Sequence, residues 1–151
     1  MTKVTSSSAT PNPASTPSTR DVATAWFEHI SRGKIEQALA LCHEDIEFIN
    51  YEPVEGFNTQ MPWIGTQHGR AETYNSFLKF TSVADVRLEE LTDLVVEGDT
   101  AVGFVHEISE IRDTGRRFEI DFVQTLTVRN GLITRWKSYT DPSPILRALT
   151  P

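Results

Sequence analysis

The chain has 151 residues, of which 38% are hydrophobic and 23% charged, and its formal net charge is −7. Those figures fit one globular domain with a substantial core, and the acidic balance excludes nucleic acid, whose phosphates need clustered Lys and Arg. No apolar run is long enough to span a bilayer, the N-terminus lacks a signal-peptide core, and a lone Cys42 excludes an internal disulfide, so a cytoplasmic protein is the expectation.

Residues 1–19 are almost entirely Ser, Thr, Pro, Ala and Asn. Such a segment has too little apolar surface to offset the entropy of ordering it, and reads as a disordered tail before a domain over residues 20–151. Thr19 is placed to cap a helix carrying Asp21 in its first turn. Val22, Ala25, Trp26, Phe27 and Ile30 recur at helical spacing, and Gly33 ends the element. A second helix is predicted over residues 35–42. In "HEDIEFINYEP" a strand follows, with Ile46, Phe48 and Asn50 on one face and Glu47, Ile49 and Tyr51 on the other. Pro53 stops its pairing. "MPWIGTQHGRAE" reads as a loop, with Gly65 and Gly69 allowing tight turns. A third helix is predicted over residues 70–81, with Tyr74, Phe77, Leu78 and Phe80 as its apolar positions.

The remainder reads as strands. "VRLEELTDLVVEG" and "TAVGFVHEISEIR" flank the turn "EGD", and "RRFEIDFVQTLTVR" and "LITRWKSYT" follow after the turns "DTG" and "RNG". Three helices followed by an antiparallel meander predict an α+β fold with helices on one face of a curved sheet. "PSPILRAL" closes the chain as a short segment with helical potential.

Phe118, Ile120, Phe122, Gln124, Leu126 and Val128 share one strand face, apolar except for Gln124. A buried amide without partners costs about 1–3 kcal/mol, so Gln124 is expected either to be satisfied internally or to meet a ligand. In "GFVHEISEI", Val105, Glu107, Ser109 and Ile111 form one face, while Phe104, His106 and Ile108 form the other. Glu107 is therefore either an edge ion-pair partner or a carboxylate facing an apolar pocket, where burial would raise its pKa. His29, His43, His68 and His106 are scattered, so no metal is expected. No glycine-rich loop joins a strand to a helix, so no nucleotide cofactor is expected either.

"WFEHISRGKIEQALALCHEDIEF", "PWIGTQHGRAE" and "FVQTLTVRNGLITRWKSYTD", in this order, resemble the SnoaL-like branch of the nuclear transport factor 2 (NTF2-like) superfamily. Ketosteroid isomerases, limonene epoxide hydrolases and polyketide cyclases belong to the same superfamily. The resemblance implies a cone in which three N-terminal helices pack on a strongly curved antiparallel sheet around a deep apolar pocket. It also implies a homodimer through the sheet's outer face, here the face bearing Val123, Thr125, Arg135, Lys137 and Tyr139.

By the same resemblance, Glu52 before Pro53-Val54 falls at the general base of the isomerases, with Asn50 as the competing alignment. Gln124 falls at an oxyanion-hole position, and Trp26 replaces a Tyr donor. Glu107 matches a catalytic Asp of the epoxide hydrolases, but Val105 replaces their Arg. Ser138 stands where hydrolases and cyclases carry another catalytic Asp. Trp63 and His68 are expected at the pocket rim, with Phe48, Phe122 and Trp136 among its walls. The expectation is an enzyme working without cofactor by acid/base chemistry, isomerisation or cyclisation, on a steroid-, terpenoid- or polyketide-like molecule. Its catalytic candidates are Glu52, Glu107 and Gln124. The alternatives are a non-catalytic binding protein and an epoxide hydrolase with rearranged carboxylates.

Overall fold

A computed structural model describes residues 15–151; residues 1–14, most of the expected tail, lie outside the described residues. Helix α1 (Thr19–Ser31) buries Val22, Ala23, Trp26, Phe27 and Ile30. Its cap is Ser18 rather than Thr19, the Ser18 hydroxyl accepting the Asp21 backbone N–H at 3.1 Å. A short helix α2 (Ile35–Leu39) follows. It ends before Cys42, which already belongs to strand β1 (Cys42–Asn50).

Two further features of this half depart from the sequence reading. Residues Gly65–His68, expected as loop, form strand β2, which pairs antiparallel with the outer edge of β1. Four residues are too few to show a period, so only the partner strand reveals the element. Helix α3 (Gly69–Val83) then buries Thr73 and Ser76. Leu78 is 48% exposed, because the buried face runs through Thr73, Ser76, Phe77 and Phe80 and Leu78 lies off that stripe.

The meander consists of β3 (Ala84–Glu97), β4 (Thr100–Ile111), β5 (Arg117–Arg129) and β6 (Leu132–Tyr139). The six strands lie in the order β2-β1-β6-β5-β4-β3. The sheet is not wholly antiparallel: β1 runs parallel to β6, setting Phe48 opposite Trp136. Asn130 and Gly131 both adopt positive φ, the geometry a tight hairpin between β5 and β6 requires. The register shifts between Val86 and Leu88 and between Leu91 and Asp93. Such bulges bend a strand and increase its twist. A fourth helix, α4 (Ser143–Leu149), follows the sheet where helical potential was expected, so the described residues hold four helices, one more than the three N-terminal ones. Two apolar clusters form the core. One gathers α1 and the β1/β6 side, and the other gathers Met61, Trp63, Phe118, Ile120 and α4.

At Gly103 a Cβ would lie 2.1 Å from Cζ of Phe27, so only glycine lets α1 seat this ring on the sheet. Among the described residues no helix is long and apolar enough to cross a membrane.

Candidate functional site

Between the two clusters lies a cavity of about 470 Å³. Its aromatic wall is built where β1 meets β6: Phe48 stacks on Trp136 at 3.9 Å and 7°, and Phe77 from α3 tilts onto Phe48 at 5.5 Å. Such pairs add to the burial of large rings and fix their orientation.

Gln124 sits at the centre of this wall, 3% exposed. Its side-chain oxygen accepts two indole N–H groups, from Trp26 at 2.9 Å and from Trp136 at 2.7 Å. An indole nitrogen can only donate, so the two rings together fix which end of the amide is oxygen. Internal satisfaction therefore accounts for half of this amide. The NH₂ end has no protein partner among the described residues and lies on the cavity wall. Beside it the Ser138 hydroxyl donates to the Asn50 side-chain oxygen at 2.9 Å, a closed neutral pair.

The second polar feature is acidic. Glu107 points inward from β4 and is 6% exposed, and the Ser109 hydroxyl donates to its Oε1 at 2.6 Å. Burial raises its pKa to about 7, against a smaller opposing effect of the Ser109 hydrogen bond. Directly across the β3–β4 ladder stands Glu89, which also lines the cavity. Part of Glu89 stays accessible, yet its carboxyl is enclosed closely enough that burial raises its pKa well above normal, with the Glu107 charge adding to the shift. Tyr51 completes the group. Its φ of 52° breaks the alternation of β1 and brings the ring to the cavity. There, burial and then the Glu107 charge push the phenol pKa up, so the hydroxyl keeps its proton.

Of the expected site residues, Trp26, Phe48, Asn50, Trp63, Glu107, Phe122, Gln124, Trp136 and Ser138 all line this cavity. Trp63 is a buried wall rather than a rim, 3% exposed with its ring edge-on to Phe80 at 5.0 Å. Glu52 and His68 are not brought to the site. Glu52 is exposed on the loop after β1, because the turn at Tyr51 reverses its direction, and its backbone carbonyl accepts from the Asn58 side chain. His68 is exposed at the end of β2, opposite Glu47 on the sheet's edge. His106 faces outward, its ring nitrogens 2.9 Å from Glu119 and 2.7 Å from Asp121. Burial pushes the Cys42 thiol up to about 12, so it is no nucleophile.

Glu89 and Tyr51 were missed by sequence reasoning. The signal for Glu89 was its place in the hairpin partner of the Glu107 strand. Tyr51 had none, since nothing local to it demands positive φ.

The helices, the mixed sheet and the cavity between them are the NTF2-like fold. A structure described as an NTF2-like protein from Burkholderia xenovorans shares 26% identity, covers 91% of this chain and 99% of its own, and superposes with a TM-score of 0.74. Residues 23–136 match the SnoaL-like domain family, and the chain belongs to it. At lower identity the likeness shows the fold alone. TerC, co-crystallised with polyporic acid, is 21% identical with a TM-score of 0.72, over 88% of this chain and 98% of its own. A protein of ketosteroid isomerase-like fold from Catenulispora acidiphila, in complex with trimethylamine, is 18% identical with a TM-score of 0.66, over 89% and 93%. No curated protein matches significantly.

Proposed function

We propose that this protein is a small-molecule enzyme that moves protons without a cofactor, isomerising or cyclising a mostly apolar substrate held in the aromatic cavity. The observation that carries the reading is Glu107, a buried cavity carboxyl whose pKa of about 7 suits it both to take and to return a proton near neutral pH. Tyr51, a phenol held in its protonated form beside that carboxylate, supplies an O–H donor for charge developing on a substrate oxygen. Gln124 offers its free NH₂ to a second oxygen further along the substrate, with the two indoles keeping the amide from rotating away. Two structures of related fold hold small organic molecules, which supports a ligand in this cavity.

The outer sheet face serves as the homodimer contact in this reading. Tyr139 and Phe104 there are 49% and 40% exposed, and among the described residues no helix covers them.

One feature favours a binding protein instead. Ser138 stands where related hydrolases and cyclases place an acid, and its hydroxyl is closed onto Asn50. The deciding experiment is deuterium exchange from solvent into a panel of apolar ketones, followed by NMR. Catalysed exchange that falls about 10²-fold or more in Glu107→Gln supports the enzyme. Tight ketone binding with no exchange in the parent protein establishes the binding protein.

A further inference from the structure

Glu89 and Glu107 are direct partners in the β3–β4 ladder, with both side chains on the cavity. The Ser109 hydroxyl donates to Glu107, and the protonated Tyr51, Asp85, Arg32 and Arg112 line the same cavity, with Ile120 and Phe122 as apolar residues from β5. Among the described residues no Lys, Arg or His is paired with either carboxylate. Arg112 donates to the Thr81 carbonyl, Arg32 pairs with Glu28, and Arg87 pairs with Asp85 and Glu110. Burial and the repulsion between these ladder partners hold both carboxyls above the usual carboxylate range, so the pair keeps protons at low pH and gains negative charge as pH rises. Among the described residues no ion pair neutralises that charge; the Arg32 and Arg112 guanidinium groups also line the cavity but are held by Glu28 and by the Thr81 carbonyl.

A separate observation comes from the other end of the cavity. Gln124, 97% buried by its 3% exposure, leaves its NH₂ unpartnered on the wall. It lies four residues along β5 from Ile120, which is the ladder partner of Glu107. At about 3.3 Å per residue that is roughly 13 Å of strand. The cavity thus presents a bare donor at one end, a residual anion at the other, and aromatic rings between.

We propose that Glu89 and Glu107 together recognise a protonated amine on an apolar, ring-bearing ligand whose hydrogen-bond-accepting end meets the Gln124 amide. This rests on the reading that the cavity is the ligand site, and it names the class of ligand. An ammonium group carries three N–H donors and no acceptor, which matches a pair of carboxylates. Aromatic faces stabilise a cation further, by about 0.5–2 kcal/mol in a dry site. A carboxylate ligand would be repelled, and a neutral isostere would leave the residual charge uncompensated. A hard metal ion is a poor match, since it requires about six oxygen ligands and the walls here are mostly rings. Affinity for the amine rises as the pair loses protons, from about pH 5.5 to about pH 8.5, because an alkyl amine stays protonated throughout.

The test compares phenylbutylamine, phenylbutanol and phenylbutyrate by calorimetry and thermal shift on the full chain. At about pH 8.5 the amine should bind at least about tenfold more tightly than the alcohol, and the butyrate weakest. The amine's advantage should shrink at about pH 5.5. It should disappear in the double variant Glu89→Gln/Glu107→Gln, which keeps side-chain shape and removes both carboxyls, so folding is retained. Equal binding of amine and alcohol by the parent protein overturns the inference while leaving the cavity as a ligand site. An amine preference that survives the double variant overturns it as well. If none of the three probes binds, the inference and the ligand-site reading fall together.

Discussion

Glu89 stands directly opposite Glu107 across the β3–β4 ladder, and both carboxyls reach one cavity. The stability of the fold should therefore fall as pH rises. Glu107 has a folded-state pKa raised from 4.5 to about 7, so the folded state holds its proton more tightly than the unfolded chain. Its contribution is fully present below about 4.5, declines through the window up to about 7, and stays lost above it. The loss amounts to about 3 kcal/mol for this group. Melting temperatures measured across that window should fall for the parent protein and flatten in Glu107→Gln. A variant curve parallel to the parent's would show that this carboxyl is not the group involved.

Gln124 holds two indole N–H groups on one oxygen. Gln124→Leu should destabilise the protein by about 2–5 kcal/mol, since both buried donors lose their acceptor. Urea unfolding reads this directly. A loss below about half a kcal/mol would mean the indoles find other partners, which surface-like tolerance would resemble.

Gly103 has no room for a methyl group beside Phe27. Gly103→Ala should cost about 1–3 kcal/mol through overpacking. Adding Phe27→Leu should recover part of that loss, because the smaller side chain vacates the space. Additive losses in the double variant would count against the contact as the cause.

Glu52 and His68 lie outside the cavity. Glu52→Gln and His68→Ala should leave ketone exchange and ligand affinity within about twofold of the parent. A loss of about tenfold or more in Glu52→Gln would restore the isomerase-like alignment of that carboxylate.

Tyr139 and Phe104 are large apolar groups on the open sheet face. Tyr139→Glu combined with Phe104→Glu should shift the protein from dimer to monomer in sedimentation velocity, because charges at an interface core are costly. A parent protein that sediments as a monomer at all concentrations sinks this prediction.

Much of the cavity's far wall was legible in the sequence. Strand alternation put Gln124 among Phe122 and Leu126 and set Glu107 on one face with Val105 and Ser109 without deciding that this face looks inward, and helical spacing put Trp26 on the buried stripe of α1. These are local periodicities in long regular elements, and periodicity survives whatever the partner strand does.

The tertiary structure alone decided which acids meet. From Glu97 to Asp93 the β3–β4 hairpin pairs without interruption, and continued unbroken it would set Glu90, not Glu89, opposite Glu107. Thr92 is the extra residue: its hydroxyl donates to the Phe104 carbonyl, and the inward set steps from Leu94 to Leu91 and on to Glu89. Tyr51 acts in the same way at the end of β1, where one positive φ brings a phenol inward and turns Glu52 out. A strand's side chains alternate with a period of two, so a single inserted or reversed residue exchanges the two faces. The sequence sets what each face would carry; the bulge at Thr92 and the turn at Tyr51, held by contacts with other strands, decide which face looks into the cavity.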